Sequence, residues 1–275
     1  MARIEDLLIG HEVFTHRGRW QPISRVIVKG ADTVRVQCGG LATGLVTTAD
    51  QLLRVRTGSL LLANPGGDGM SAASWVKAGE LTDRHHVGAP IDLGSELQFP
   101  ALPAALVGAD PVDVLRTAGT MIGLRGAAAD AVCPELVGWM HGHFGPYGAG
   151  RRFPAWILTA PREQRAAFLG GLVADLDGRR SCSVCMFSKP FMFGLRMLVC
   201  SLGYAGGLSE SGRSGRRKWS LSWQTEGGRR FDRDGLRWHR ALRVDRGPRE
   251  ALFDLAVIED GSYVADGAMV RASEA

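Results

Sequence analysis

The sequence predicts an α+β protein in which a discontinuous, β-rich domain encloses an inserted α+β domain. Residues 1–56 consist of short apolar runs separated by turn residues, with one turn expected at residues 29–32, and residues 236–275 return to this pattern. Short runs at such spacing are typical of β-strands. Between them, residues 115–126 and 162–175 have the apolar spacing of helices. The predicted domains are residues 1–98 and 236–275 for the β-rich domain and residues 99–235 for the inserted domain.

Length and composition are those of a globular chain. The 275 residues are 45% hydrophobic and 22% charged, which excludes a mainly disordered protein. No apolar run approaches the roughly 20 residues that a membrane-spanning helix needs. Glu5 and Asp6 stand where a secretory signal peptide would carry cations. We therefore expect a cytoplasmic protein with no membrane partner.

The cysteines do not indicate a disulfide framework or a zinc site. There are five of them, an odd number. Cys182 and Cys185 form a C-x-x-C, but no second pair of ligands follows at a spacing suitable for zinc. We expect these two residues to be strand thiols.

Positive charge is concentrated near the end of the predicted inserted domain. The chain has a net charge of +5, and residues 213–246 hold 11 Arg or Lys against four acidic residues. A local basic excess of this kind is typical of surfaces that bind polyanions.

Alternating residues in the same region predict a polar sheet face that could contact DNA. In residues 218–224 polar side chains alternate with Trp219, Leu221 and Trp223, which we expect in the core. Lys, Arg, Ser and Gln suit phosphate and base-edge contacts. The alternative is an ordinary solvated sheet face. The candidate DNA-binding residues are Arg179, Ser181, Ser183, Arg213, Arg216, Arg217, Lys218, Ser220, Ser222 and Gln224.

Two glycine-containing helices are expected to pack against each other. Gly119 and Gly123 are four residues apart, as are Gly170 and Ala174, and small residues at that spacing share one helix face. Packing would bring the two C-terminal ends together. Carboxylates gathered there would suit a hard divalent cation and phosphodiester hydrolysis. The alternative is a packed helix pair that ends in exposed carboxylates.

The second helix carries a family resemblance. The segment PREQRAAFLGGLVADLDG resembles the LAGLIDADG motif of homing endonucleases, and TAGTMIGLRG resembles a degenerate first copy. The segment SVCMFSKPFMFGLRMLVCSLGY is similar to the strand and helix that follow the second copy. The resemblance implies that Asp177, or Asp175 if the motif is counted from Leu169, binds catalytic Mg²⁺. Arg125 stands at the matching position of the first copy, where a cation would repel metal.

The two flanks resemble the Hint domain of inteins, which implies a horseshoe-shaped β fold. The segments concerned are ARIEDLLIGHEVFTHRGRW, WVKAGELTDRHHVGAPI and ALFDLAVIEDGSYVADGAMVRAS.

Most residues that the family uses for splicing are replaced in this chain. Thr48 matches the T-x-x-H motif, but Gln51 stands in place of its His and cannot act as an acid or base. Gly261 stands where the penultimate block has His. Arg271, Ala272 and Ser273 stand where His-Asn-Ser is expected, and an alanine cannot cyclise. We therefore predict that splicing is absent.

Three functions remain open at this point. The first, which we favour, is an intein-derived DNA-binding protein without splicing and with cleavage lost or weak, which would need no cofactor and would not be an enzyme. The second is an active Mg²⁺-dependent endonuclease, which could work as a homodimer with one Asp177 from each chain. The third is a structural or protein-interaction role. Steep dependence of duplex binding on salt would favour the first two.

Overall fold

The computed structural model describes residues 4–41, 44–58, 69–91, 99–123, 134–146, 148–174, 180–212, 217–225 and 232–273. Contacts divide the chain into two compact units. We call Ser95–Arg229 the α+β unit, and Ala2–Gly94 together with Arg230–Ala275 the β unit.

Strands hold more of the described residues than helices do. The strands are β1 (Glu12–Phe14), β2 (Trp20–Cys38), β3 (Leu45–Thr48), β4 (Leu52–Thr57), β5 (Ser74–Lys77), β6 (His85–Pro90), β7 (Ser181–Met186), β8 (Ala205–Ser211), β9 (Lys218–Gln224), β10 (Asp232–Arg233), β11 (Leu236–Val257), β12 (Ser262–Ala265) and β13 (Ala268–Arg271). The helices are α1 (Pro111–Gly123), α2 (Pro134–Phe144), α3 (Ala155–Thr159), α4 (Arg162–Val173) and α5 (Lys189–Ser201). No described helix is both long enough and apolar enough to cross a lipid bilayer.

The β unit is built on two long antiparallel strands. β2 and β11 pair from Cys38 opposite Ala241 to Ile23 opposite Val257, with three register shifts. The full order is β1-β2-β11-β6-β4-β13-β12, and β3, β5 and β10 pair with β2, β4 and β11. Alternate residues of these strands, including Leu53, Val87 and Leu255, form a buried apolar core.

One sequence expectation about this unit is wrong. Residues 29–32 do not form a turn, because β2 is continuous through them. Gly30 lies opposite Ala251 and Asp32 opposite Arg249. This segment has a composition typical of turns, but its pairing with β11 holds it in an extended conformation.

The α+β unit combines a three-stranded antiparallel sheet with helices. β9 is the central strand, between β7 and β8. The side chains of Leu221 and Trp223 are buried on one face of this sheet, and Gly206 on β8 faces Val199 of α5 on the same side. The sheet therefore has one face against a helix.

Candidate functional site

Helices α1 and α4 are in direct backbone contact. A Cβ atom on Gly119 would overlap the carbonyl oxygen of Phe168 and lie 2.9 Å from the amide nitrogen of Leu172. A Cβ on Gly123 would overlap the carbonyl oxygen of Leu172. These two glycines of α1 therefore face α4, as their spacing predicts, and no larger residue fits at either position without a shift of backbone.

The contact glycine on α4 is Gly171 and not Gly170, so that part of the prediction is wrong. A Cβ on Gly171 would overlap the carbonyl oxygen of Arg116, whereas a Cβ on Gly170 would meet nothing within 4 Å. The contact face of α4 follows Phe168, Gly171 and its neighbour at 172, which is the i, i+3, i+4 pattern of one helix side. Ala174 caps the helix C-terminus with φ 53°.

The C-terminal ends of the two helices lie side by side. Gly123 is the last residue of α1, and it faces Leu172, the second-last residue of α4. The predicted metal ligands Asp175 and Asp177, together with Arg125, lie outside the described residues. Among the residues that are described, no group of three His, Cys, Asp or Glu side chains could hold a metal ion.

The exposed face of the three-stranded sheet is lined by short polar side chains. On β7 and β9, Ser181 lies opposite Gln224 and Ser183 opposite Ser222. On β8 and β9, Ser209 lies opposite Ser220 and Ser211 opposite Lys218. Residues that are directly opposite each other share one face of a sheet. We call this surface the polar face; it consists of Ser181, Ser183, Ser209, Ser211, Lys218, Ser220, Ser222 and Gln224.

The opposite face is apolar, which explains the alternation along β9. Trp219, Leu221 and Trp223 are buried, which confirms that the two tryptophans are core residues. The Trp219 ring lies 6.2 Å from that of Phe193 in α5. With one face anchored in this way, the polar residues at the alternate positions must point outward.

Cys182 and Cys185 lie on opposite faces of β7. Cys182 is buried, whereas Cys185 is partly exposed and its Sγ lies 2.9 Å from Oγ of Ser220 on the polar face. Two residues three apart on a strand point in opposite directions. The two thiols therefore cannot chelate one metal ion together.

The cations predicted near this face are only partly described. Arg179, Arg213 and Arg216 lie outside the described residues. Arg217 is 66% exposed, and its Nη1 lies 3.2 Å from Oε1 of Glu210. Part of the positive charge that the sequence places here is thus engaged by an acid that sequence reasoning missed.

In the β unit, several splicing-related positions converge. The side-chain amide of Gln51 donates a hydrogen bond of 2.6 Å to the carbonyl oxygen of Arg271. The amide of Ala272 donates to the carbonyl oxygen of Gly261 at 2.9 Å. The Thr48 hydroxyl holds the pKa of the neighbouring Asp50 below its ordinary value. The structure therefore brings these positions together, and each of these hydrogen bonds joins two groups of the β unit.

Ser273 is engaged by a buried carboxylate. Its hydroxyl donates to Asp254, which also accepts from the Tyr263 hydroxyl at 3.0 Å and from the Leu255 amide at 2.8 Å. Asp254 is only 5% exposed. Burial, together with the charge of Asp254, raises the pKa of Tyr263 well above its ordinary value. Sequence reasoning missed Asp254, although an acid within the apolar run at residues 251–257 was a usable signal.

A second carboxylate fixes the turn that precedes Gly261. Asp260 accepts from the Thr15 hydroxyl at 2.6 Å and from Arg19 at 2.6 and 2.9 Å. The hydrogen bonds from Arg19 lower its pKa to about 2, with Thr15 and the charge of Arg17 acting in the same direction. This acid is therefore ionised at neutral pH and joins the β1–β2 turn to the β11–β12 turn.

The splicing-related positions offer little chemistry. An amide at residue 51 and a methyl group at residue 272 cannot transfer protons or cyclise, and the hydroxyl of Ser273 is hydrogen-bonded to Asp254. The polar face, in contrast, presents hydroxyl and amide groups outward.

Comparisons with known proteins identify no family. No protein-family model matches the chain, and no curated protein matches it. Among solved structures, the chain is similar to the "Crystal structure of G-1F mutant of Ssp DnaB Mini-Intein variant M86", with 12% sequence identity and a TM-score of 0.36. The similarity covers 99% of this chain and 88% of that chain. At this level of similarity, function must be argued from the residues themselves.

Proposed function

We propose that the chain is an intein-derived, LAGLIDADG-like protein that binds double-stranded DNA and neither splices nor cleaves efficiently. The polar face carries this proposal. Its hydroxyl and amide groups can donate to and accept from base edges, and Lys218 can contact a phosphate. A two-stranded β-ribbon can enter the major groove of DNA, and β8 and β9 pair as such a ribbon at one edge of this sheet.

The composition of the polar face favours readout of bases over nonspecific attraction. Six of its eight residues are serines, one is Gln224 and one is Lys218. Serine contacts both phosphates and bases over short distances, so the sheet must approach the groove closely. The short side chains at Ser183 and Ser222, in the middle of the face, permit that approach.

Duplex binding can be tested by fluorescence anisotropy with DNA selected from a random library at two salt concentrations. We expect Ser222→Glu to lower the affinity at least tenfold, because a carboxylate in the face repels phosphates. Ser74→Glu makes the same change at an exposed strand residue of the β unit and should leave the affinity unchanged. Equal affinities of the two variants would contradict the proposed surface.

Cys185 provides an independent footprint of the same surface. It is partly exposed beside Ser220, whereas Cys38, Cys182 and Cys200 are buried. In a Cys133→Ser background, bound duplex should protect Cys185 from maleimide labelling. Labelling at an unchanged rate in saturating DNA would exclude the polar face as the binding surface.

Loss of splicing is supported by the replaced residues and by their internal hydrogen bonds. Gln51 and Ala272 lack the chemistry, and Ser273 is engaged by Asp254. The chain placed between two test domains should therefore keep its full mass in intact-mass measurements. Any ligated product of the flanking domains would contradict this part of the proposal.

An active endonuclease is the second candidate, because the C-terminal ends of α1 and α4 lie side by side. Mg²⁺ bound there would supply a Lewis acid for phosphodiester hydrolysis, and a homodimer could contribute Asp177 from both chains. We expect no double-strand cleavage of the selected site with Mg²⁺, because Arg125 replaces an acid. Specific cleavage that Asp177→Asn abolishes would establish the second candidate. Absence of any duplex binding would leave a structural or protein-interaction role.

A further inference from the structure

Glu210 lies at the hairpin end of β8, next to the polar face but on the side of the sheet that faces α5. It is the only acidic residue on β7, β8 and β9, whose sequences are SCSVCM, AGGLSES and KWSLSWQ. Its Oε1 lies 3.2 Å from Nη1 of Arg217, and its side chain is 28% exposed. A single carboxylate is thus paired with the arginine that directly precedes β9.

The register of β8 and β9 shows on which side of the sheet this carboxylate lies. Glu210 lies opposite Trp219, and the next pair, Ser211 opposite Lys218, belongs to the polar face. Nζ of Lys189 lies 5.8 Å from the centre of the Trp219 ring, on the helix side of the sheet. Glu210 therefore lies at the end of the β8–β9 pair on the side of Trp219, where Arg217 is its ion-pair partner and Lys189 contacts the Trp219 ring.

We propose that Glu210 is a negative determinant of DNA affinity that acts by holding the guanidinium of Arg217. This inference rests on the proposed function. A phosphate that approaches Arg217 is repelled by the carboxylate, and the guanidinium must leave Glu210 or be shared with it. Because exposed ion pairs are weak, the arginine can exchange a carboxylate for a phosphate at small cost. The pair thus keeps affinity below the maximum that the cations allow.

The test is a double-mutant cycle measured by fluorescence anisotropy with the selected duplex. We expect Glu210→Gln to raise the affinity about two- to fivefold, which lies within the range that an exposed ion pair allows. The dependence on salt should also steepen by about one ion, because one more phosphate is neutralised. Glu163→Gln, the same change of charge at an exposed residue of α4, is the matched control and should change the affinity less than about 1.5-fold.

The second arm of the cycle asks whether the effect passes through Arg217. In an Arg217→Gln background, Glu210→Gln should no longer raise the affinity. Glu210→Ser, which matches the serines at 209 and 211, is a second variant in case the glutamine perturbs the hairpin. Thermal unfolding of every variant checks that the unit remains folded.

The outcomes separate the inference from the function on which it rests. If the wild-type chain does not bind duplex DNA, both are overturned. If it binds and both Glu210 variants bind no more tightly, Glu210 is not a negative determinant. A gain that persists in the Arg217→Gln background shows that Glu210 does not act by holding Arg217, which overturns the inference and leaves the proposed function in place.

Discussion

The two polar regions of the molecule differ in where their hydrogen-bonding groups are directed. In the β unit, the side chains of Gln51 and Ser273 are bonded to the unit's own backbone and to Asp254. In the α+β unit, Ser183 and Ser222 are exposed on the polar face. The first region has its hydrogen bonds satisfied internally and stabilises the unit. The second region keeps Ser183 and Ser222 exposed, while the hydroxyls of Ser209, Ser211 and Ser220 bond to groups of the same sheet.

The polar side chains of the two units therefore have different roles. At the positions that the resemblance relates to splicing, the polar side chains of Gln51 and Ser273 bond to groups of the β unit. Where alternation puts serines on the face away from the tryptophan core, the outward side chains contribute nothing to that core. The comparison predicts that substitutions in the two regions have different consequences.

The largest expected effect concerns the contact between α1 and α4 in the α+β unit. Gly171→Ala should destabilise the α+β unit by at least about 2 kcal/mol, because the new methyl group would overlap the carbonyl oxygen of Arg116. Gly170→Ala, one residue earlier, is the matched control: its methyl group meets nothing within 4 Å and should stabilise the helix by up to about 1 kcal/mol. Urea unfolding measures both. Equal effects of the two substitutions would mean that α1 and α4 do not touch as described.

The next effect tests whether Asp254 is structural. Asp254→Asn should lower the free energy of unfolding by about 1–3 kcal/mol, because an amide cannot accept from Ser273, Tyr263 and Leu255 without placing an N–H group against one of the donors. The control is Asp32→Asn, whose side chain is 86% exposed and should change stability by less than about 0.5 kcal/mol. Unchanged stability of Asp254→Asn would show that the hydrogen bonds accepted by Asp254 do not stabilise the β unit.

The smallest effect is a pH dependence of the β unit. Burial lowers the pKa of His86, and the charges of Arg240 and His85 act in the same direction, opposed by the backbone of Arg84. Arg56 and Arg240 lie opposite His86 on the neighbouring strands. The unfolded chain therefore takes up a proton more readily, so stability should fall as the pH drops below about 6.5.

The measurement is urea unfolding between pH 5 and pH 8 for the wild type and for His86→Leu. The variant should show a flatter dependence, because it lacks the imidazole that is protonated more readily in the unfolded chain than in the folded one. His16 and His143 also have lowered pKa values, mainly through burial, so part of the slope should remain. An identical slope in both proteins would show that His86 does not carry the effect.

The sequence was most informative where a local pattern coincides with a single physical requirement. Alternation in β9 predicted the buried tryptophans on one face and the polar residues on the other, because a strand has only two faces. The spacing of Gly119 and Gly123 predicted the contact face of α1, because a backbone contact tolerates no Cβ. The start of α4 at Arg162 matches the helix that apolar spacing predicts at residues 162–175.

Other features depended on partners that are distant along the chain. The composition of residues 29–32 predicts a turn, yet β11, more than 200 residues later, holds them in a strand. Either Gly170 or Gly171 could have faced α1, and the rotation of α4 about its axis selected Gly171. The pairing of Glu210 with Arg217 and the burial of Asp254 beneath Ser273 likewise follow from strand pairing. Periodicity and residue type can be read from a short segment of sequence. Strand register, helix rotation and ion pairing are set by long-range packing, because each of them requires a second segment to be in place.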